Sequence, residues 1–137
     1  SAAVGDVNGD TKLDIITTHD DVTLMTILIG DGKGGFTPAP NSPFDLGHRA
    51  YKVIIIDLNQ DNRIDMVMCG YPKYVIALLG DGKGGFANAQ GLPFEVGDGP
   101  NGIVVGDFNG DNNLDIATAN SGSNNVTVLL GNGRKTR

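Results

Sequence analysis

The stretch GDVNGDTKLDII at residues 5–16 returns twice along the chain, as IDLNQDNRIDMV at 56–67 and as GDFNGDNNLDIA at 106–117. Steps of 51 and 50 residues separate the first aspartates of the three copies, which are Asp6, Asp57 and Asp107. A sequence that repeats itself at a period of about 50 residues is typical of solenoids and propellers. The three copies therefore predict a repeat protein.

Two further blocks recur in the same order. The block LIGDGKGGF at 28–36 returns as LLGDGKGGF at 78–86 and begins again as LLGNGRK at 129–135. The block SPFDLG at 42–47 returns as LPFEVG at 92–97. Three independent blocks in register make chance similarity very improbable. They divide the chain into three repeat units, which are about 1–50, 51–100 and 101–137.

Within a unit, short apolar runs rich in β-branched residues are bounded by turn residues, as is typical of strands. In the third copy, residues 103–105 lead into the acidic stretch, residues 114–119 leave it, and residues 126–130 follow a polar turn. In the first two copies a fourth extended stretch follows the GDGKGG turn. Each unit therefore predicts a four-stranded antiparallel meander, which is the pattern of a propeller blade.

The chain has 137 residues, which is the size of one ordinary domain. We therefore predict a single domain over residues 1–137, all-β in class, with three four-stranded antiparallel propeller blades of which the last is incomplete. A closed propeller has roughly four to eight blades, and open blades leave strand edges that invite pairing with another chain. The sequence predicts either an open part of a longer β-propeller or a half that self-association completes as a six-bladed ring.

The charge and apolar patterns exclude several kinds of partner. The formal net charge is -6, and nine of the sixteen acidic residues lie in the three repeated stretches. Nucleic-acid binding draws on clustered Lys and Arg, so we expect no nucleic-acid partner. No apolar stretch approaches the roughly 20 residues that span a bilayer. The single cysteine, Cys69, excludes an internal disulfide.

Each acidic stretch carries oxygen-bearing side chains at positions 1, 3, 5 and 9, counted from its first Asp. Calcium takes six to eight oxygen ligands, and alternating acidic residues on a tightly curled loop can converge on one point. Position 7 varies in side chain, so we expect its backbone carbonyl to serve as the ligand. The predicted sites, one calcium ion each, are Asp6, Asn8, Asp10, Lys12 and Asp14; Asp57, Asn59, Asp61, Arg63 and Asp65; and Asp107, Asn109, Asp111, Asn113 and Asp115.

These loops have two other possible interpretations. An EF-hand needs Gly at position 6 and Glu at position 12, whereas the first loop has Thr11 and Thr17 there and a strand pattern follows it. Acidic turns without metal are the second alternative, because Asp, Asn and Gly favour turns for backbone reasons. Three copies with three carboxylates each disfavour that alternative, since unneutralised carboxylates repel one another at short range.

The pattern GDxNGDxxxDI at 5–15 and 106–116 resembles the FG-GAP or VCBS-type repeat, found in the β-propeller of integrin α chains and in many bacterial surface and secreted proteins. The resemblance implies propeller blades, calcium in the loop between the first two strands of each blade, and an extracellular, cell-surface or periplasmic setting. The family's usual Phe-Gly start is missing before the first loop, and Ile56 replaces the Gly before the second.

The expected function is a non-enzymatic module that binds protein or glycan, as in cell adhesion. The alternatives are a non-catalytic accessory portion of a secreted polysaccharide-active or other enzyme and a structural spacer. GDGKGG satisfies a dinucleotide-binding pattern, but no helix is predicted after it, so a hairpin turn is the better interpretation. No residue lies in a nucleophile motif. His19 beside Asp20 could join a polar binding surface, and Tyr51, Tyr71 and Tyr74 could pack at a rim or stack on sugar.

Overall fold

The computed structural model describes residues 1–91 and 93–133, and its regular structure is β-strand throughout. In these ranges there is no helix, and hence none long and apolar enough to cross a membrane. Leu92 of the third block and residues 134–137 of the third unit lie outside the described residues. The strands are β1 (Ala2–Gly5), β2 (Asp14–Thr18), β3 (Leu24–Gly30), β4 (Phe36–Pro38), β5 (Phe44–Asp45), β6 (Ala50–Ile56), β7 (Asp65–Gly70), β8 (Tyr74–Gly80), β9 (Phe86–Asn88), β10 (Phe94–Glu95), β11 (Pro100–Gly106), β12 (Asp115–Asn120) and β13 (Asn125–Leu129).

The strands form three antiparallel sheets, one for each repeat unit. Blade 1 contains β1 to β5, blade 2 contains β6 to β10, and blade 3 contains β11 to β13. Consecutive strands pair along each meander, from the first to the second and from the second to the third. The predicted all-β architecture of open, propeller-like blades is confirmed, and the described part of blade 3 has three strands.

The predicted fourth strand of blades 1 and 2 is divided into two short strands. In blade 1 both β4 and β5 pair with β3, and the loop between them contains Pro40 and Pro43, which have no N–H to donate to a strand. Backbone bonding continues through this loop, since Ala39 N–H donates to the Ile27 carbonyl at 2.9 Å and Ile27 N–H donates to Ser42 Oγ at 2.9 Å. The sheets of blades 1 and 2 therefore have five strands instead of four.

Blade 2 lies between the other two blades and buries both of its faces. Side chains alternate between the two faces of a strand, so Met66 and Met68 of β7 pack toward blade 1 while Val67 and Cys69 pack toward blade 3. All six residues of β7 are buried. This double burial explains why the middle unit has a continuous apolar run, as in strands covered on both sides.

The three acidic stretches lie at one end of the blades. Each connects the first strand of its blade to the second, for example from the end of β1 at Gly5 to the start of β2 at Asp14. The first strands also contact one another from blade to blade, β1 with β6 and β6 with β11. The turn that begins at His19 follows β2 and therefore lies at the opposite end.

Candidate metal sites

The three acidic loops share one backbone conformation. Position 4 has a positive φ in every loop, at 78° for Gly9, 58° for Gln60 and 78° for Gly110. Position 6 does the same, with φ between 65° and 67° at its three residues, which are Thr11, Asn62 and Asn112. The middle loop thus keeps the curl of the other two although Gln60 replaces glycine at a conformation that glycine adopts most easily.

The carboxylate at position 1 organises the curl of each loop. Asp6 Oδ1 accepts hydrogen bonds from the N–H groups of Gly9 at 2.7 Å and Asp10 at 3.1 Å, and its Oδ2 accepts one from Thr11 at 2.7 Å. Asp57 and Asp107 accept the corresponding bonds from position 5 and position 6 of their own loops. The first aspartate therefore compensates for the N–H groups that the tight turn leaves without carbonyl partners.

Positions 3 and 5 bond to each other. In the first loop Asn8 Nδ2 donates to Asp10 Oδ2 at 3.2 Å, and Asn8 Oδ1 accepts from Asp10 N–H at 3.1 Å. The other oxygen of Asp10 accepts from Lys12 N–H at 2.9 Å. The second and third loops repeat this arrangement, so positions 1, 3 and 5 form one repeated polar cluster.

The aspartate at position 9 is buried and ties the loop to the third strand. Asp14 Oδ2 accepts from Val7 N–H at 2.9 Å, and Asp14 Oδ1 accepts from Gly30 N–H at 2.9 Å. Asp65 and Asp115 make the same pair of bonds in their blades. Burial raises the pKa of Asp65, and the backbone N–H groups that donate to it act in the opposite direction.

A glycine at the end of the third strand makes this contact possible, and the sequence interpretation did not include it. A Cβ atom at Gly30 would collide with the backbone carbonyl oxygen of Leu13, which is position 8 of the loop. Gly80 stands against Ile64 and Gly131 against Leu114 in the same way. The signal was present as the glycine that recurs in LIG, LLG and LLG, but its meaning depends on a contact between distant parts of the unit.

The charge near position 7 differs between the loops. Lys12 Nζ lies 3.9 Å from Asp10 Oδ2 in the first loop, and both side chains are partly exposed. The second loop has Arg63 and the third has the neutral Asn113. In the third loop, hydrogen bonds from the Asn113 N–H and the Asn109 side chain lower the pKa of Asp111. The third loop therefore has the least internal neutralisation of its carboxylates.

Neighbouring blades contact one another at the loops. Gly84 N–H, in the GDGKGG turn of blade 2, donates to the carbonyl of Val7 in the first loop at 3.2 Å. Gln60 Nε2 of the second loop donates to the carbonyl of Asn112 in the third loop at 2.8 Å. Gln60, which replaces the glycine at position 4 of the other two loops, therefore links the second loop to the third.

The donor chemistry of each loop fits a hard cation, because the loop offers carboxylate, amide and carbonyl oxygens. The geometry is not preassembled, since within residues 1–91 and 93–133 no three acidic, histidine or cysteine side chains stand close enough together to hold a metal ion. The carboxylates instead accept hydrogen bonds from the backbone. A carboxylate has about four lone-pair sites, so these bonds leave capacity for a cation.

The GDGKGG segments are hairpin turns, as predicted. Asp31 N–H donates to the Gly35 carbonyl at 3.0 Å, and Asp31 Oδ1 accepts from Lys33 N–H at 2.7 Å and Gly35 N–H at 2.9 Å. These two N–H groups lower the pKa of Asp31, with the Lys33 N–H the larger cause. Asp81 makes the same bonds in blade 2. The two turn aspartates therefore stabilise their hairpins by accepting backbone N–H groups.

A polar cleft lies at the end of the blades opposite the loops. His19 and Asp20 line it together with Tyr51 and Asn101, which occupy equivalent irregular positions at the starts of β6 and β11. Thr18 also lines it, and the Thr18 hydroxyl is buried with no hydrogen-bond partner in the described part of the chain. The structure thus brings His19, Asp20 and Tyr51 together.

The other two tyrosines lie in ring contacts. Tyr71 meets Tyr51 edge to face with ring centroids 6.3 Å apart, and the Arg49 guanidinium lies 5.7 Å from the Tyr71 centroid. Tyr74 packs on His48 at 4.4 Å between ring centroids. These contacts agree with packing at the rim.

Comparison with known protein families matches the chain twice. The model of a family described as FG-GAP-like repeat matches residues 6–68 and again residues 57–118. Each match begins at the first aspartate of one acidic loop and runs through the next loop into the strand that follows it. The two matches overlap and together span most of the chain. No curated protein matches it.

Proposed function

The chain belongs to the FG-GAP-like repeat family, and on that premise we propose that it is a calcium-binding β-propeller-type module that binds protein or glycan. In this proposal it acts in the extracellular space, at the cell surface or in the periplasm, and in adhesion or a similar binding role. Calcium stabilises the scaffold and takes no part in a reaction, because the module is not an enzyme.

The observation that carries the calcium proposal is the threefold repetition of one loop. Each copy holds three aspartates and an asparagine on the same backbone curl, with positive φ at the same two positions. Each loop would hold one ion through the side chains at positions 1, 3, 5 and 9 and the carbonyl at position 7. Three divalent ions would balance the formal net charge of -6.

Thermal unfolding with and without calcium tests this proposal. A ligand that binds only the folded state stabilises it by about 2.7 kcal/mol per site at 100 times its Kd, so chelation should lower the melting temperature. Asp10→Asn removes one carboxylate while its amide oxygen can still accept the Lys12 N–H, and it should lose about a third of the calcium-dependent shift.

Asp31→Asn is the matched control for that substitution. Asp31 also accepts backbone N–H groups in an exposed turn, but it belongs to no predicted site. Its variant should keep the full calcium-dependent shift. An equal loss in both variants would show that the shift reflects surface charge in general and would contradict the site assignment.

The ligand surface in this proposal is the polar cleft of Thr18, His19, Asp20, Tyr51 and Asn101. Its support is the buried Thr18 hydroxyl, which has no partner among residues 1–91 and 93–133. The aromatic ring, the amide and the carboxylate of the cleft are groups of the kind that contact sugar hydroxyls and polar peptide groups. Binding of the purified chain to glycan and protein arrays tests it. Binding should be lost in a Tyr51→Ala variant and kept in a Lys33→Ala variant.

The second candidate is a non-catalytic accessory portion of a secreted polysaccharide-active enzyme. Polysaccharide binding without hydrolysis would fit either candidate, whereas hydrolysis by the isolated chain would contradict both. The proposal also includes additional blades that cover the outer faces of blades 1 and 3, because these blades are open. The additional blades would come from a second copy or from a longer propeller.

A further inference from the structure

Consecutive blades pack face to face, and each pair uses the same two kinds of face. Blade 1 presents one face, with Ile16, Met25 and Ile27, to blade 2, which meets it with Met66, Met68, Ile76 and Leu78. We call the first kind of face leading and the second kind trailing. The contact between blades 1 and 2 therefore joins the leading face of blade 1 to the trailing face of blade 2.

Blades 2 and 3 meet in the same way. The leading face of blade 2 carries apolar side chains of small to medium size, which are Ile54, Val67, Cys69, Val75 and Ala77. The trailing face of blade 3 covers it with the apolar side chains of Ile103, Val105, Ile116 and Leu129, together with Thr118 and Thr127, which pair with each other in the row of Ile103. This interface shows which trailing face fits a leading face of such residues.

Blade 3 has a leading face that no described residue covers. Strand pairing places Val104, Ala117 and Val128 in one row, and Ala119 opposite Val126 in the next. Its three valines are 57%, 67% and 49% exposed at Val104, Val126 and Val128. An uncharged apolar sheet face of this kind marks an interaction surface.

Blade 1 has a corresponding trailing face that none of the described residues covers, with Val4 59% exposed. Its side chains are Val4, Ile15, Thr17, Thr26 and Leu28, paired across β1, β2 and β3. These are the same five residue types, in the same positions of the meander, as Val105, Ile116, Thr118, Thr127 and Leu129 of blade 3. At the sixth position, in the row of Thr17, blade 1 has Ala2 where blade 3 has the buried Ile103. Blade 1 therefore carries five of the six side chains that cover a leading face in this molecule.

We infer that a second copy of this chain covers the leading face of blade 3 with the trailing face of its own blade 1. The inference rests on the self-association part of the proposed function and does not depend on calcium. The contact is heterologous, because the two surfaces that meet are different. Two such contacts around a two-fold axis would close six blades into a ring, whereas an unclosed rotation would give longer chains of copies.

Sedimentation velocity across a range of concentrations tests the inference. The wild-type chain should associate, while Val126→Asp with Val128→Asp on the leading face, and Val4→Asp on the trailing face, should each prevent closure and weaken association at least tenfold. Val22→Asp is the matched control, because Val22 is 41% exposed in the turn before β3 and belongs to neither face. It should associate like the wild type.

Mixing the two kinds of variant tests the heterologous contact itself. The Val4→Asp chain keeps an intact leading face and the double variant keeps an intact trailing face, so an equimolar mixture should form a one-to-one complex. Circular dichroism checks that each variant is folded. If the double variant is unfolded, the single substitution Val126→Asp repeats the test at the most exposed of the three valines.

A wild-type chain that stays monomeric at all concentrations would overturn the inference. So would association that the face substitutions leave unchanged, or a mixture that forms no complex. The calcium proposal fails separately, through absent calcium uptake, and all three variants should take up calcium as the wild type does.

Discussion

Replacing the buried aspartate at position 9 of the first loop tests the hydrogen bonds that connect this loop to strand β3. Asp14 is fully buried and accepts one N–H from Val7 and one from Gly30, each at 2.9 Å. In Asp14→Asn the amide oxygen can accept one of these N–H groups, but the amide nitrogen is a donor and faces the other. The loss of one hydrogen bond to a charged group costs about 1.5–3 kcal/mol.

Urea unfolding and thermal melting in the presence of chelator measure this cost without any contribution from calcium. At an unfolding entropy of about 2.1 cal/mol/K per residue, the melting temperature should fall by roughly 5–10 °C. Asp10→Asn is the control, because Asp10 is exposed: its amide oxygen can still accept the Lys12 N–H, and the amide nitrogen that would face Asn8 Nδ2 can turn to water. It should change the free energy of unfolding by less than about 0.5 kcal/mol.

The two substitutions therefore separate the contribution of the buried carboxylate to the free energy of unfolding from the contribution of calcium binding. Asp14→Asn should destabilise the chain even in chelator, and Asp10→Asn should act only when calcium is present. If Asp14→Asn unfolds at the wild-type urea concentration in chelator, the buried carboxylate does not hold the loop to β3 and the reasoning is refuted.

Three further predictions concern charge, close packing and pH. Lys12→Asn removes the cation 3.9 Å from Asp10 and should tighten calcium binding by up to about fivefold, since exposed pairs contribute no more than about 1 kcal/mol; weaker binding by calorimetry would contradict this. Gly80→Ala forces a Cβ atom into the carbonyl oxygen of Ile64 and should lower the free energy of unfolding by about 1–3 kcal/mol; an unchanged urea midpoint would contradict the close contact. The Asp45 carboxylate accepts hydrogen bonds from the Thr23 hydroxyl and the Gly47 N–H, and both bonds lower its pKa. The stabilising effect of this carboxylate is therefore present above its pKa in the unfolded chain and is lost as pH falls through its pKa in the folded chain. Asp45→Asn should flatten the acid side of a plot of urea midpoint against pH, and an unchanged slope would refute the assignment.

The repeat made the architecture predictable from sequence, and local chemistry made the turns predictable. The GDGKGG segments are hairpin turns because Asp31 and Asp81 accept N–H groups two and four residues later, and such bonds depend only on neighbouring residues. The division of the fourth strand was not predicted, although Pro40 and Pro43 interrupt it in blade 1, because the pairing of both halves with the same third strand and the bond from Ile27 N–H to Ser42 Oγ join distant parts of the unit. Contacts of that range leave no periodic signal.

The candidate sites were predictable in position but not in bonding. Position 9 was predicted as a ligand from its spacing, whereas its burial and its bond to Gly30 depend on how β3 packs against the loop. In the sequence Gln60 is only the residue that replaces the glycine of the other two loops, and its bond to Asn112 requires the neighbouring blade. The sequence therefore places the candidate residues on three equivalent loops, and the structure shows which of their oxygens already accept backbone N–H groups.

Isothermal titration calorimetry of calcium into the chelator-treated chain tests the central claim most directly. One ion should bind per loop, three per chain, with one site lost in Asp10→Asn. Affinities down to about 10⁻⁴–10⁻³ M fit the extracellular class of calcium sites. A chain that takes up no calcium at millimolar concentrations, and that melts at the same temperature with calcium as with chelator, would contradict it.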